Sequence, residues 1–201
     1  MNRVKSSIVL ALMLSALVAC GKKDAGTGAE ATAACNLVST KDGSPLAIKA
    51  VATDTPEAKQ FLETCKNPYT AKYAADPAAA LVKPSSKGAT DYGGRHVMTN
   101  NNCTGCHGGN LGGLMAPSLV KNGGTGAYDT KWIYEKNATD KGMFETIAGG
   151  TPGTSGGVML IWHQQITGHT GEEGLSTDDI LKAVGYIRSV YKGDGEKTWM
   201  K

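Results

Sequence analysis

The run Cys103-Thr104-Gly105-Cys106-His107 carries the sharpest chemistry in the chain. Two thiols three positions apart share one side of a helical turn, so both can add to vinyl groups on one edge of a porphyrin. The histidine that follows is delivered beneath the iron, where one imidazole nitrogen can ligate it. The spacing therefore points to one covalently bound haem c, held by Cys103 and Cys106, with His107 as an axial ligand. A zinc site would need further Cys or His ligands at matching spacing, and the sequence offers none. A thioredoxin-like dithiol belongs in alternating strands and helices, which this Gly-rich neighbourhood does not suggest.

An iron ligated on one face takes a second ligand on the other or keeps that position open. Downstream of the motif the candidates are Met115, Met143, Met159, Met200, His163 and His169. Met115 follows His107 too closely to cross to the opposite face. Met143 shares an apolar helical pattern with Phe144 and Ile147, and Met200 sits at the terminus. Met159 follows Gly149, Gly150, Gly153, Gly156 and Gly157, where a backbone can be bent across a haem face. Met159 is the expected ligand. His163 is the alternative, against its plainer reading as a solvent-facing loop histidine. A Met thioether raises the reduction potential and favours electron transfer.

Cys20, Cys35 and Cys65 are left over. Leu17-Val18-Ala19-Cys20 ends an apolar run from Ile8 to Val18, which follows Arg3 and Lys5. That run is too short to span a bilayer comfortably and reads as a secretory signal. The tetrapeptide looks like a lipobox, which would make Cys20 a lipid-modified first residue anchoring the chain to a bacterial membrane. Ordinary cleavage near Ala19 is the alternative. Cys35 and Cys65 would then be free thiols or, in an oxidising compartment, a disulfide worth on the order of 3 kcal/mol. The expected site is outside the cytoplasm, in the periplasm.

These groups must be positioned by the rest of the chain. Thr55-Pro56-Glu57 reads as an N-cap, a first-turn proline and an acidic first turn, with Ala58, Phe61, Leu62 and Cys65 on one face. Pro68, Pro77 and Pro84 then punctuate the chain, which reads as a partly ordered extension. A second helix is expected over about 90–100, directly before the motif, with His96 a surface or packed side chain. Asn137 to Asp140 can cap a third, stopped by Gly149-Gly150. Ser176-Thr177-Asp178-Asp179 resembles a capping box, and Ile180, Val184, Ile187 and Tyr191 recur at helical spacing after it. The divisions are a signal peptide over 1–19, a linker over 20–36, an extension over 37–86 and an all-α haem domain over 87–201.

Charge excludes some partners. Taking Arg3 and Lys5 from the 21 basic residues leaves 19 against 18 acidic, so the mature chain is near neutral. No basic patch points to nucleic acid, and no acidic run forms a polyanionic tail. With 27 glycines and few aromatic residues, the chain suits a loop-rich fold centred on a haem.

Ala116-Pro117-Ser118-Leu119 resembles the Pro-containing segment of class I cytochromes c. That resemblance implies a class I cytochrome c fold in which the Pro117 carbonyl accepts the Nδ1–H of His107 and Leu119 packs on the haem. Thr55 to Thr64 with Lys66-Asn67-Pro68-Tyr69 is similar to the N-terminal extension of the cytochrome c-L family. So are Trp132-Ile133-Tyr134, Asn137 to Gly150, and Tyr186 to Asp194. The family resemblance implies a carrier, not an enzyme, that takes electrons singly from a PQQ-dependent methanol or alcohol dehydrogenase. It would pass them to a downstream cytochrome c or oxidase. Trp132 and Tyr134 can line the propionate side or simply pack in the core, and the resemblance further suggests a calcium ion near the propionates. Two other readings stand beside it: a carrier for an unrelated exported dehydrogenase or respiratory chain, and a peroxidase-like enzyme using His163 or His169.

Overall fold

A computed structural model describes residues 35–120, 139–151, 158–170 and 173–192. The signal segment, Cys20, Trp132, Tyr134 and Met200 lie outside the described residues. So do Gly153, Gly156 and Gly157.

Local rules account for the helix starts. Helix α1 (Pro56–Thr64) begins where the Thr55 hydroxyl accepts the Ala58 N–H, with Pro56 at a position that needs no donor. It ends at Cys65, whose φ of 58° is left-handed. Helix α2 (Pro68–Ala75) repeats the device, with Asn67 capping and Pro68 opening it. A 3-10 turn at Pro77–Leu81 starts in the same way from Asp76. Two of the three prolines that read as punctuation thus open elements, and the extension carries more helix than its prolines suggest. Helices α3 (Gly94–Asn100) and α4 (Cys103–His107) follow. Then come α5 (Asp140–Gly149), capped by Thr139, and the short α6 (Gln164–Thr167). Helix α7 (Thr177–Val190) starts at a complete capping box, Ser176 and Asp179 each bonding the other's backbone N–H. Among the described residues the only β pairing is two isolated bridges, Val38 with Pro45 and His163 with Leu175.

Helix α7 is the centre of the packing. It contacts α1, α2, α3, α5 and the 3-10 turn. Ile180, Leu181 and Val184 are completely buried along it. Phe61 of α1 and Phe144 of α5, both inaccessible to solvent, meet with ring centroids 4.6 Å apart. The extension and the haem-motif region therefore share one core. Small residues permit the closest crossings. A Cβ at Gly185 would stand 2.9 Å from that of Tyr69, and one at Gly94 would stand 2.0 Å from the Lys182 carbonyl oxygen.

The buried charged groups around Asp178 are paired, as burial demands. The Asp178 carboxylate accepts the Thr55 and Tyr69 hydroxyls at 2.7 and 2.8 Å and forms an ion pair with Lys182 at 2.9 Å. Burial, then the neighbouring Asp178 charge, holds the Tyr69 phenol well above its ordinary range. The Lys182 ammonium also donates to the Thr90 carbonyl and lies 4.3 Å over the Tyr92 ring. One network thus ties the extension to the helix that closes the core. Cys35 and Cys65 are joined as a disulfide, fixing the start of the extension to the end of α1.

Candidate haem site

The Cys-x-x-Cys-His residues form α4 itself, entered through Asn102 at a left-handed φ of 55°. The two thiols differ: Cys103 is half-buried against the core and Cys106 is exposed. Burial pushes the Cys103 thiol up to about 11, so a free Cys103 is protonated at neutral pH. Residues 108–119 fold back beneath the motif. Gly113 N–H donates to the His107 carbonyl, Ala116 N–H to that of Cys106, and Leu119 N–H to that of Leu111. This return brings the Pro117 carbonyl oxygen to 2.8 Å from His107 Nδ1.

That contact decides the state of His107. A carbonyl only accepts, so Nδ1 carries the proton and Nε2 keeps its lone pair for a metal. Burial lowers the pKa of the ring, with the Pro117 bond opposing it, so the imidazole is neutral at neutral pH as ligation requires.

Apolar side chains stand open on the motif loop and on the Met159 segment. Leu114 and Met115 beside the motif are 61% and 69% exposed, and Val158 and Leu160 flanking Met159 are 64% and 65%. Large apolar groups left in the open on two segments suit a planar apolar ligand that covers them. Two thiols, a neutral imidazole with a free nitrogen and this open apolar surface fit a haem. Leu119 is buried in the core under the motif loop.

Met159 is half-buried and, like Cys103, packs against the edge of the core. Thr151 pairs with it twice: Thr151 N–H donates to the Met159 carbonyl at 3.1 Å, and Met159 N–H donates to Thr151 Oγ1 at 3.3 Å. Gly150, at φ +68°, lets this pair close, because a Cβ there would stand 2.5 Å from the Met159 carbonyl oxygen. Sequence reasoning passed over Thr151, since nothing local marks it as a partner eight residues away. Met143 is buried in the core, as its helical pattern suggests.

His163 is not the solvent-facing histidine of the plainer reading. It is fully buried, its Nδ1 accepts the Gln165 N–H, and its Nε2–H donates to Thr177 Oγ1 at 2.9 Å. Both nitrogens are engaged, so it holds α6 to α7 and offers no lone pair to a metal. His169 is exposed. His96 packs against Tyr92 in a tilted ring contact, with centroids 4.8 Å apart. Among the described residues no group of three or more His, Cys, Asp or Glu side chains could hold a calcium ion.

Burial lowers the His163 pKa to about 4, which has a measurable consequence. The unfolded chain takes up this proton below its ordinary pKa of 6.5, while the native state does not until about pH 4. Stability from this group is complete above pH 6.5 and is lost as the pH falls from there to about 4, by about 3 kcal/mol in all. Denaturant melts of the wild type and His163→Gln between pH 7 and 4 test this. The variant is expected to be less stable at pH 7 but to lose about 3 kcal/mol less on acidification. Parallel pH profiles for the two proteins would rule the assignment out.

The helical core, the covalent-attachment motif and the oriented imidazole define a c-type cytochrome fold of class I. No protein-family model matches the chain. It is 32% identical over 140 residues to cytochrome c-L of Methylorubrum extorquens, a match covering 70% of this chain and 52% of that protein. The chain thus matches about half the length of this curated relative. The crystal structure of cytochrome cL from Hyphomicrobium denitrificans aligns with a TM-score of 0.54 at 30% identity, over 81% of this chain and 77% of that one. That of cytochrome CL from the marine methylotroph Methylophaga aminisulfidivorans aligns with a TM-score of 0.50 at 29% identity, over 78% and 81%. The chain belongs to the cytochrome c-L family.

Proposed function

We propose that this cytochrome accepts electrons one at a time from a PQQ-dependent methanol or alcohol dehydrogenase and passes them to a downstream cytochrome c or oxidase. In this reading Cys103 and Cys106 would carry the haem, and His107 and Met159 would hold its iron. The observation that carries it is the His107–Pro117 contact of 2.8 Å, which fixes the tautomer and leaves the Nε2 lone pair for an iron. When bound, the haem supplies a one-electron redox centre. The protein's own residues would orient the His107 ring and offer the open apolar side chains of Leu114, Met115 and Leu160 for the haem to cover. With both His163 nitrogens engaged, that side chain is not placed as the acid–base group a peroxidase would need.

The site of action follows from the N-terminus. Residues 1–19 would direct export, and Cys20 would carry the lipid anchor at the start of the linker over 20–36. The periplasm supplies the oxidising setting for the Cys35–Cys65 disulfide. Among the described residues no helix is long and apolar enough to cross a membrane.

Stopped-flow mixing of the oxidised protein with the host's PQQ methanol dehydrogenase and methanol tests the partner. Fast, saturable, salt-sensitive reduction is expected. Absence of reduction, in a haem that dithionite still reduces, would assign the carrier to another exported dehydrogenase or respiratory chain.

A further inference from the structure

The N-terminal extension does more than fill the core. Its first stretch, residues 37–49, runs along the segment that bears Met159 and bonds it at successive points. Val38 N–H donates to the buried Glu145 carboxylate of α5 at 2.7 Å. Thr40 Oγ1 donates to the Gly150 carbonyl at 2.9 Å. Leu46 packs against Gly149, leaving 3.2 Å for a Cβ there. Beyond Met159, the Gln165 side chain accepts the Lys49 N–H at 3.0 Å and donates to the Lys49 carbonyl at 2.9 Å, imitating a strand partner. Lys41 lines the same cleft as Met159, Leu160 and Trp162.

The stretch is itself restrained. Leu46 N–H bonds the Leu37 carbonyl, Val38 bridges to Pro45, and Cys35 is joined to Cys65 through sulfur while its N–H donates to the Leu62 carbonyl. We infer that residues 37–49 are a strap that positions Met159, acting through Gly150 and Thr151 on one side and Gln165 on the other. The Thr40–Gly150 bond holds the residue beside Thr151, and Thr151 in turn holds both backbone groups of Met159. The Gln165–Lys49 pair fixes the far end, and the disulfide anchors the strap to α1. Thr40, Thr151 and Gln165 are positioning residues.

The inference rests on Met159 as the iron ligand only for its spectroscopic consequence. An external ligand reaches the iron only when Met159 has moved away, so its apparent affinity scales with the fraction of molecules in that open state. The test compares wild-type holoprotein with Thr40→Val/Gln165→Ala and Cys35→Ser/Cys65→Ser. Losing one hydrogen bond of ordinary strength changes such an equilibrium about fivefold, so the first variant is expected to bind imidazole to the ferric haem at least about tenfold more tightly. The Met159 amide proton, which Thr151 Oγ1 accepts, is expected to exchange with solvent faster by a similar factor. Circular dichroism and thermal melting establish that each variant keeps its helices. Wild-type imidazole affinity and wild-type Met159 exchange in both variants would overturn the strap. Met159→Ala is run alongside. If it keeps the methionine–iron band, the ligand assignment fails, and Met159 amide exchange alone then decides for or against the strap.

Discussion

Met159→Ala is expected to abolish the sulfur-to-ferric-iron charge-transfer band and to lower the reduction potential. A thioether is a soft, neutral donor that favours ferrous over ferric iron, and its replacement by water or hydroxide reverses that preference. Thr151 bonds the Met159 backbone twice, and the flanking Val158 and Leu160 stand open. Spectroelectrochemical titration of wild type and variant reads both quantities in one experiment. Two other methionines serve as comparisons. Met143 is almost wholly buried in α5, so Met143→Ala should cost about 2–5 kcal/mol of stability while keeping the band. Met115 is exposed beside the motif, and Met115→Ala should leave the band in place. A band retained in Met159→Ala would end the assignment of Met159, and loss of the band in Met115→Ala would move it to that residue.

The parts of the molecule legible in the sequence are those whose determinants are local. Cys103, Cys106 and His107 declare themselves because three chemical groups must meet one cofactor from a single turn. Ser176 and Asp179 close a capping box within four residues, and the apolar period after it predicts the buried face of α7. Thr55 and Pro56 start α1 by the same short-range logic. The Pro117 contact was legible only through family resemblance, since a carbonyl ten residues from His107 leaves no trace in residue type.

Where the determinants are distant, the sequence was silent or misleading. Pro68 reads as a break, yet Asn67 before it caps α2, and Tyr69 and Tyr73 one turn apart are both buried against α7. An Asn-Pro pair followed by two tyrosines at helical spacing was a usable signal that the other prolines obscured. His163 reads as a loop residue because its partners, Thr177 and the Gln165 backbone, become partners only once α6 lies beside α7. The pairing of Cys35 with Cys65 was open for the same reason: spacing bounds the loop, but only the return of the extension to α1 brings the sulfurs together. The strap bonds of Thr40 and Gln165 each span more than a hundred residues.

Gly94→Ala is expected to destabilise the protein by about 3 kcal/mol or more, although it adds a single methyl group. Glycine is a poor helix former, and alanine in an unconstrained helical position would stabilise by up to about 1 kcal/mol. Here the new Cβ would stand 2.0 Å from the Lys182 carbonyl oxygen and 2.6 Å from the Tyr186 Cβ. Both obstacles belong to the rigid part of α7, so no side chain can swing aside and the helices must separate. Separation is costly because α7 is the element on which α1, α2 and α5 also pack. It would also strain the bond from the Lys182 ammonium to the Thr90 carbonyl, just before α3. The effect reaches the site, because α3 runs almost directly into α4 and a shift of one carries the other. Thermal melting of the ferric holoprotein should show a fall in Tm of about 6–12 °C for a domain of this size. The matched control is Gly109→Ala on the exposed loop after the motif, where an added Cβ meets nothing within 4 Å and the change should stay within about 0.5 kcal/mol. Equal Tm values for Gly94→Ala and the wild type would mean that α3 and α7 do not cross at this distance, and the packing derived for the domain would have to be redrawn around a different contact.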